Sequence, residues 1–136
     1  MRTQFAAIAY RIRKDKPEIC LITSRGTGRW IVPKGWPMPG ITPQDAAATE
    51  AWEEAGLEGR VHPQPLGLFS YDKEHEGEQL PVIAVVYAMR VKKAHSTWPE
   101  SHQRRRKWFT PRKAASKISD PELRHIIRNF DPRHLR

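Results

Sequence analysis

Three carboxylates, Glu50, Glu53 and Glu54, follow one another at i, i+3 and i+4. On a helix this spacing puts all three on one side, where like charges repel. A divalent cation removes that repulsion, and hard carboxylate oxygens suit Mg²⁺ or Mn²⁺. The same spacing by itself also describes the solvated face of an amphipathic helix. What distinguishes this stretch is the loop before it, Gly35-Trp36-Pro37-Met38-Pro39-Gly40, and the Gly56-Leu57 pair that closes it.

The element that must carry the glutamates has legible ends. Thr42 is a good N-cap, Pro43 fits the first helical position, and Asp45 two residues on makes an imperfect capping box. Gly56 stands where a glycine just past the last turn ends a helix. At about 100° per residue, the glutamates group on one side and Ala48, Ala51, Trp52 and Ala55 roughly opposite, ready to pack on a sheet. Ala46 and Ala47 fall near the acidic side, leaving room for something bulky to approach.

The stretch Gly35 to Leu57 resembles the Nudix box, G-x5-E-x7-R-E-U-x-E-E-x-G-U, where U is a bulky aliphatic residue. Gly35 matches the first glycine and Glu50 the glutamate of the Arg-Glu pair. Glu53 and Glu54 match the Glu-Glu pair, Gly56 the late glycine and Leu57 the last apolar position. Three positions depart: Ile41 replaces the first glutamate, Thr49 the arginine, and Ala51 the bulky residue after Glu50. In the family that arginine pairs with box glutamates and helps to orient them. Thr49 cannot, so the resemblance implies another cation in its place or a looser site. Further segments extend the likeness over roughly residues 3 to 130. Arg29-Trp30-Ile31-Val32-Pro33-Lys34-Gly35 is similar to the family's entry into the box, and Leu66-Gly67-Leu68-Phe69 to the strand after it. Trp98 with Arg105-Arg106-Lys107-Trp108-Phe109 resembles a pattern of the diphosphoinositol and diadenosine polyphosphate hydrolase branch.

The resemblance implies one domain over residues 1–136, an α/β/α sandwich with a mixed β-sheet between helices. It implies hydrolysis of a phosphoanhydride in a nucleoside diphosphate linked to another moiety, with Mg²⁺ or Mn²⁺ held by Glu50, Glu53, Glu54 and the Gly35 carbonyl. Glu53 or Glu54 is the leading general base. In some members a glutamate from a later loop serves, and Glu74, Glu76, Glu78 and Glu100 are candidates here.

The net charge of +9 suits a polyanionic substrate. Arg25, Arg29 and Lys34 flank the loop before the box and could clamp phosphates, joined by Arg11 and Arg13 at the end of the first strand. Arg104, Arg105, Arg106 and Lys107 form the densest basic run, with Arg105 the candidate phosphate ligand taken from it. Each is equally readable as a solvated surface charge. Trp36, Tyr71 and Trp98 could stack on a base or serve as packing. Generic affinity for RNA is the competing reading of the charge, and a catalytically weak nucleotide- or RNA-binding module the competing function. The six histidines show no metal-ligand spacing. Cys20, the only cysteine, lies in the strand-like run Ile19-Cys20-Leu21-Ile22 and reads as a core thiol. No run of about 18 apolar residues suggests a membrane span, and no apolar leader follows Met1. A cytoplasmic location is the expectation; oligomeric state is left open.

The remaining pattern predicts strands at Phe5 to Ile12 and Glu18 to Thr23 around a turn at Asp15-Lys16-Pro17, and a short strand at Trp30 to Val32. Val61 to Tyr71 predicts an interrupted strand and Asp72 to Gln79 a charged loop. Pro81 to Val91 predicts a central strand, Lys92 to Arg106 a basic loop, and Lys107 to Phe109 another strand. Thr110-Pro111 and Asp120-Pro121 each predict a helix start.

Overall fold

The apolar run that opens the chain forms a long strand, β1 (Arg2–Arg13), and the longest apolar run forms a longer one, β7 (Glu78–Ala94). They lie parallel, with Arg2 opposite Val82 and Tyr10 opposite Arg90. The computed structural model describes residues 2–135. Around this pair are built β2 (Lys16–Thr23), β3 (Trp30–Ile31), β4 (Lys34–Gly35), β5 (Leu57–Val61), β6 (Gly67–His75) and β8 (Arg106–Phe109). The main path through the sheet is β3-β2-β1-β7-β5. Strand β4 also pairs with β1, β6 with β7 and β8 with β2.

Two turns differ from the sequence expectation. The β1–β2 turn is Lys14-Asp15, not Asp15-Lys16-Pro17; both residues have positive φ, 52° and 65°. Left-handed backbone at both central positions matches the right-handed twist of a tight hairpin. Pro17 is therefore in β2, opposite Ile12 and outside the Ile19–Ile22 stretch that pairs with β8, where its missing N–H costs no ladder bond. The charged stretch Asp72 to Gln79 is a hairpin rather than a loop. Strands β6 and β7 pair through Glu74 opposite Gln79 and His75 opposite Glu78, around Glu76-Gly77 with φ of 51° and 80°. With no apolar face, these strand ends read as a loop. Strand β7 likewise runs past Val91 to Ala94, because β5 pairs with it there.

Helix α1 (Pro43–Ala55) covers one face of the sheet; α2 (Pro111–Lys117) and α3 (Pro121–Arg128) cover the other. The result is the expected α/β/α sandwich around a mixed sheet. Successive residues of β1 serve opposite faces. Ala6, Ile8 and Tyr10 join the cluster under α2 and α3, and Ala7 and Ala9 the cluster under α1. Thr42 and Thr110 both cap as expected, accepting from the amides of Asp45 and Lys113. Asp120 stands at the start of α3 without a side-chain cap bond. No helix among the described residues is long and apolar enough to cross a membrane.

The buried side of α1 is not the one expected. Ala46, Ala47, Ala51 and Ala55 are buried, together with Glu50 and Glu54. Trp52 is half-buried and meets His95 edge-on, ring centroids 4.8 Å apart. Ala47, Ala51 and Ala55 recur every four residues and form the seam against Ala7 and Ala9. Glu50 and Glu54 form a parallel stripe beside that seam, not opposite it, so they border the sheet.

Candidate active site

Strand β4 sets the floor. Its pairing with β1, Gly35 opposite Phe5 and Lys34 opposite Ala6, fixes the backbone beneath α1. A Cβ at Gly35 would stand 2.3 Å from the Glu50 carboxyl carbon, so any larger residue there would displace that carboxylate from its place over β4. The amide of Lys34 points to Glu54 Oε1 at 3.4 Å. Glu50 and Glu54 are 9% and 8% exposed and hydrogen-bond each other. Burial pushes the Glu50 carboxyl up to about 8, helped by its bond to Glu54 and the charges of Glu54, Glu53 and Glu100. Burial also raises Glu54, opposed by the Glu50 bond and by Arg104 and Lys34. Burial and mutual repulsion thus favour a proton on the pair.

A hard cation would suit the place of that proton. Two crowded carboxylates over a glycine floor form a donor set for Mg²⁺ or Mn²⁺. Among the described residues, no three His, Cys, Asp or Glu side chains are gathered closely enough to enclose an ion. Of the expected glutamate trio, Glu50 and Glu54 line the cavity. Glu53 sits half-buried on the adjoining side of the helix, outside the cavity lining.

Glu50, Glu54 and Gly35 open into a cavity of about 560 Å³. Of the expected phosphate ligands, Arg25, Arg29 and Lys34 line it. Arg11 and Arg105 do not. Arg11 pairs with Glu18 at 2.8 Å and lies 4.1 Å over the Trp108 ring; Arg105 lies 5.8 Å over Trp30. Glu74 and Glu100 reach the cavity, whereas Glu76 and Glu78 stay at the hairpin tip. Trp36 and Tyr71 line it, but Trp98 lies at the far end of α1. Five lining residues lie outside the sequence expectation for the site, Gln4, Ser24, Ile31, Asp72 and Lys73, and from the basic run it is Arg104 that reaches the cavity. Tyr71 donates its hydroxyl to Gln4, and burial pushes that hydroxyl up to about 12. Half-buried Lys34 lies 5.1 Å over the Tyr71 ring, its ammonium held below the ordinary lysine value by burial and partly restored by Glu54 and Asp120.

A family model described as NUDIX domain matches residues 2–130. The chain belongs to the Nudix family. It is 34% identical over 114 residues to Nudix hydrolase 16, mitochondrial, of Arabidopsis thaliana, covering 81% of this chain and 63% of that one. It is 32% identical over 107 residues to diphosphoinositol polyphosphate phosphohydrolase 2 of Rattus norvegicus, covering 76% and 55%. The chain therefore spans less than two thirds of the length of these relatives. Among solved structures, the C. elegans Ap4A hydrolase superposes with a TM-score of 0.68 at 20% identity, covering 94% of each chain. A NUDIX hydrolase from Nitrosomonas europaea gives 0.68 at 17% identity, covering 93% of this chain and 86% of that one. These two likenesses bear on the fold.

Proposed function

We propose that this chain is a metal-dependent hydrolase of phosphoanhydride bonds in a nucleoside diphosphate linked to another moiety, of the dinucleoside polyphosphate or diphosphoinositol polyphosphate type. One observation carries the reading: a buried carboxylate pair shares a single cavity with Arg25, Arg29 and Lys34. A carboxylate site alone repels a polyphosphate, and a cationic site alone only binds one. Together they suit a metal-bridged anhydride. Mg²⁺ or Mn²⁺ at Glu50 and Glu54, with the Gly35 carbonyl, would neutralise phosphate charge and polarise the bond to be broken. Arg25 and Arg29, exposed at the mouth, would take the outer phosphates, and Lys34 the inner one. The rings of Trp36 and Tyr71 offer a platform for a base. We assign proton removal from the attacking water to Glu54, whose burial makes it a better acceptor than an exposed glutamate.

The relatives named for diphosphoinositol polyphosphates support the substrate class. A panel of dinucleoside polyphosphates, diphosphoinositol polyphosphates, nucleotide sugars and capped RNA, each with Mg²⁺ or Mn²⁺, tests it. Turnover of none of them would end the hydrolase reading.

A second reading, a weakly catalytic RNA- or nucleotide-binding module, has one observation of its own. Arg60 and Arg90 stand exposed and directly opposite each other in the β5–β7 ladder. Like charges in that register are unfavourable unless an anion covers them. RNA binding that weakened steeply with salt, with no turnover, would favour this module.

A further inference from the structure

Nothing on α1 itself balances the buried glutamates. Thr49, the residue before Glu50, gives its hydroxyl to the Asp45 carbonyl of its own helix at 2.9 Å. In addition to Lys34 of β4, the counter-charge arrives from the segment that links β7 to β8. Arg104 NH2 lies 3.7 Å from Glu54 Oε1, its Nε donates to Glu100 Oε1 at 2.8 Å, and its NH1 donates to the Thr23 carbonyl at 3.0 Å. Its side chain is 6% exposed. A guanidinium engaged on all three nitrogens is a fixed part of the wall and is not free to follow a substrate.

The same segment holds the end of α1 by its backbone. The last carbonyls of a helix have no partner within it. Here the Glu53 carbonyl accepts from the Glu100 amide at 3.1 Å, that of Glu54 from Trp98 Nε1 at 3.0 Å, and that of Ala55 from Arg106 NH1 at 2.7 Å. The Gly56 carbonyl accepts from the His95 amide at 2.9 Å. Trp98 lies so close over Gly56 that an added Cβ would stand 2.6 Å from its ring. Residues 95–106 thus grip the turn that carries Glu54 from outside, while Arg104 grips the carboxylate from within.

We infer that Arg104 is the positioning residue of the Glu50–Glu54 pair, supplying from the β7–β8 segment what position 49 of the helix lacks. It sets the carboxylate geometry and does not bind the substrate. The kinetic part of the test rests on the hydrolase reading above; the cation-binding part does not. The full chain is compared with Arg104→Ala, Arg104→Lys and, as a charge control on exposed α2, Arg112→Ala. Mn²⁺ affinity is measured by calorimetry, kcat and KM on whichever substrate turns over, and folding by thermal melting. Arg104→Ala is expected to weaken Mn²⁺ binding and lower kcat, each by about 10- to 100-fold, with KM nearly unchanged. Arg104→Lys, which returns the charge without the fork, recovers part of both, and Arg112→Ala matches the wild type. Unchanged Mn²⁺ affinity and kcat with a raised KM would make Arg104 a substrate contact and overturn the inference. If Arg104→Ala fails to fold, Arg104→Lys decides: wild-type Mn²⁺ affinity in that variant also overturns it. A wild-type chain that binds Mn²⁺ but turns nothing over would remove the hydrolase reading while the affinity comparison still judges Arg104. A wild-type chain that binds no Mn²⁺ removes both.

Discussion

Where β1 meets the helices, the two faces of the sheet are packed with different materials. Under α1, Ala7 and Ala9 of β1 meet Ala47, Ala51 and Ala55 of the helix. Under α2 and α3, Ile8 and Tyr10 of the same strand meet Phe109, Leu123, Ile127 and Phe130. Methyl against methyl lets the α1 backbone come close to the sheet, and that closeness brings Glu50 down onto Gly35. Large side chains on the other face bury more apolar surface per residue and supply more stabilisation. The contrast assigns different duties: one face fixes a distance, the other holds the domain together. If that division is right, mutations on the two faces should separate activity from stability.

The largest expected effect is chemical. Glu54→Gln keeps the size of the side chain and removes its capacity to take a proton. It should lower kcat by about 100- to 10,000-fold with little change in melting temperature. Ile127→Ala, fully buried on the opposite face, should lose about 2–5 kcal/mol in urea denaturation. Its kcat should nevertheless stay near wild type at a temperature where the variant is folded. If Glu54→Gln kept full turnover, the proton-acceptor assignment would fail; if Ile127→Ala lost turnover while folded, so would the division between faces.

A subtler test adds volume where the first removes it. Ala51→Leu forces a larger side chain into the α1 seam, and overpacking should cost about 1–3 kcal/mol. Because the helix can relieve the strain only by lifting off the sheet, the Glu50–Gly35 contact is lost with it. Activity should therefore fall further than in Ile127→Ala despite the smaller stability loss. Steady-state kinetics beside denaturation curves for the two variants would show the crossing. Parallel losses of activity and stability in both would instead make the faces equivalent.

The third test is pH. Folding raises the Glu50 carboxyl from 4.5 to about 8, so between those values the native metal-free chain binds more protons at this site than the unfolded chain. Stability from this group is complete below the unfolded value and is lost as pH rises through the folded one. Metal-free wild type should lose stability across that window relative to Glu50→Gln, measured by denaturation at several pH values. Added Mn²⁺, by taking the proton's place, should flatten the wild-type slope. Equal slopes in the two proteins without metal would mean that the carboxylate pair is not buried as described.

What could be read from the sequence follows from how local each feature is. The Thr-Pro caps and the left-handed Gly56 depend on neighbours in the chain, and they stand where expected. Gly35, Glu50 and Glu54 were legible because a loop and a helix set them side by side in sequence. Glu53 lies outside the cavity lining because the buried side of α1 is set by Ala7 and Ala9 of a distant strand. Arg104 and Arg105 are indistinguishable in the sequence for a related reason. Side chains alternate along extended chain, so neighbouring arginines face different ways, and the bonds of the Arg105 backbone to Thr23 just ahead of β8 leave Arg104 facing the cavity. Arg11 was lost to Glu18, its cross-strand partner, a pairing fixed by a hairpin turn that begins one residue earlier than the pattern suggested. Lys73 was hidden because a strand with no apolar face looks like a loop.

The smallest expected effect gives the cleanest comparison. Thr42 and Thr110 are chemically the same device. Each is followed by proline, and each accepts from the amide three residues on, at 3.1 Å and 3.3 Å. One starts α1, the other α2. Replacing either by alanine should remove one cap bond at a cost of about 1 kcal/mol. Their effects on stability should therefore be nearly equal, and any difference between them must come from what the capped helix carries. Helix α1 carries Glu50 and Glu54, so a looser first turn in Thr42→Ala lets the pair drift over Gly35 and should lower kcat severalfold. Helix α2 carries Ala114 and Ala115 into the opposite core, so Thr110→Ala should leave kcat where it was. Equal denaturation midpoints with unequal kcat would locate the precision of the site in the seating of one helix; equal kcat would show that the segment 95–106, gripping α1 from its other end, is sufficient to hold it.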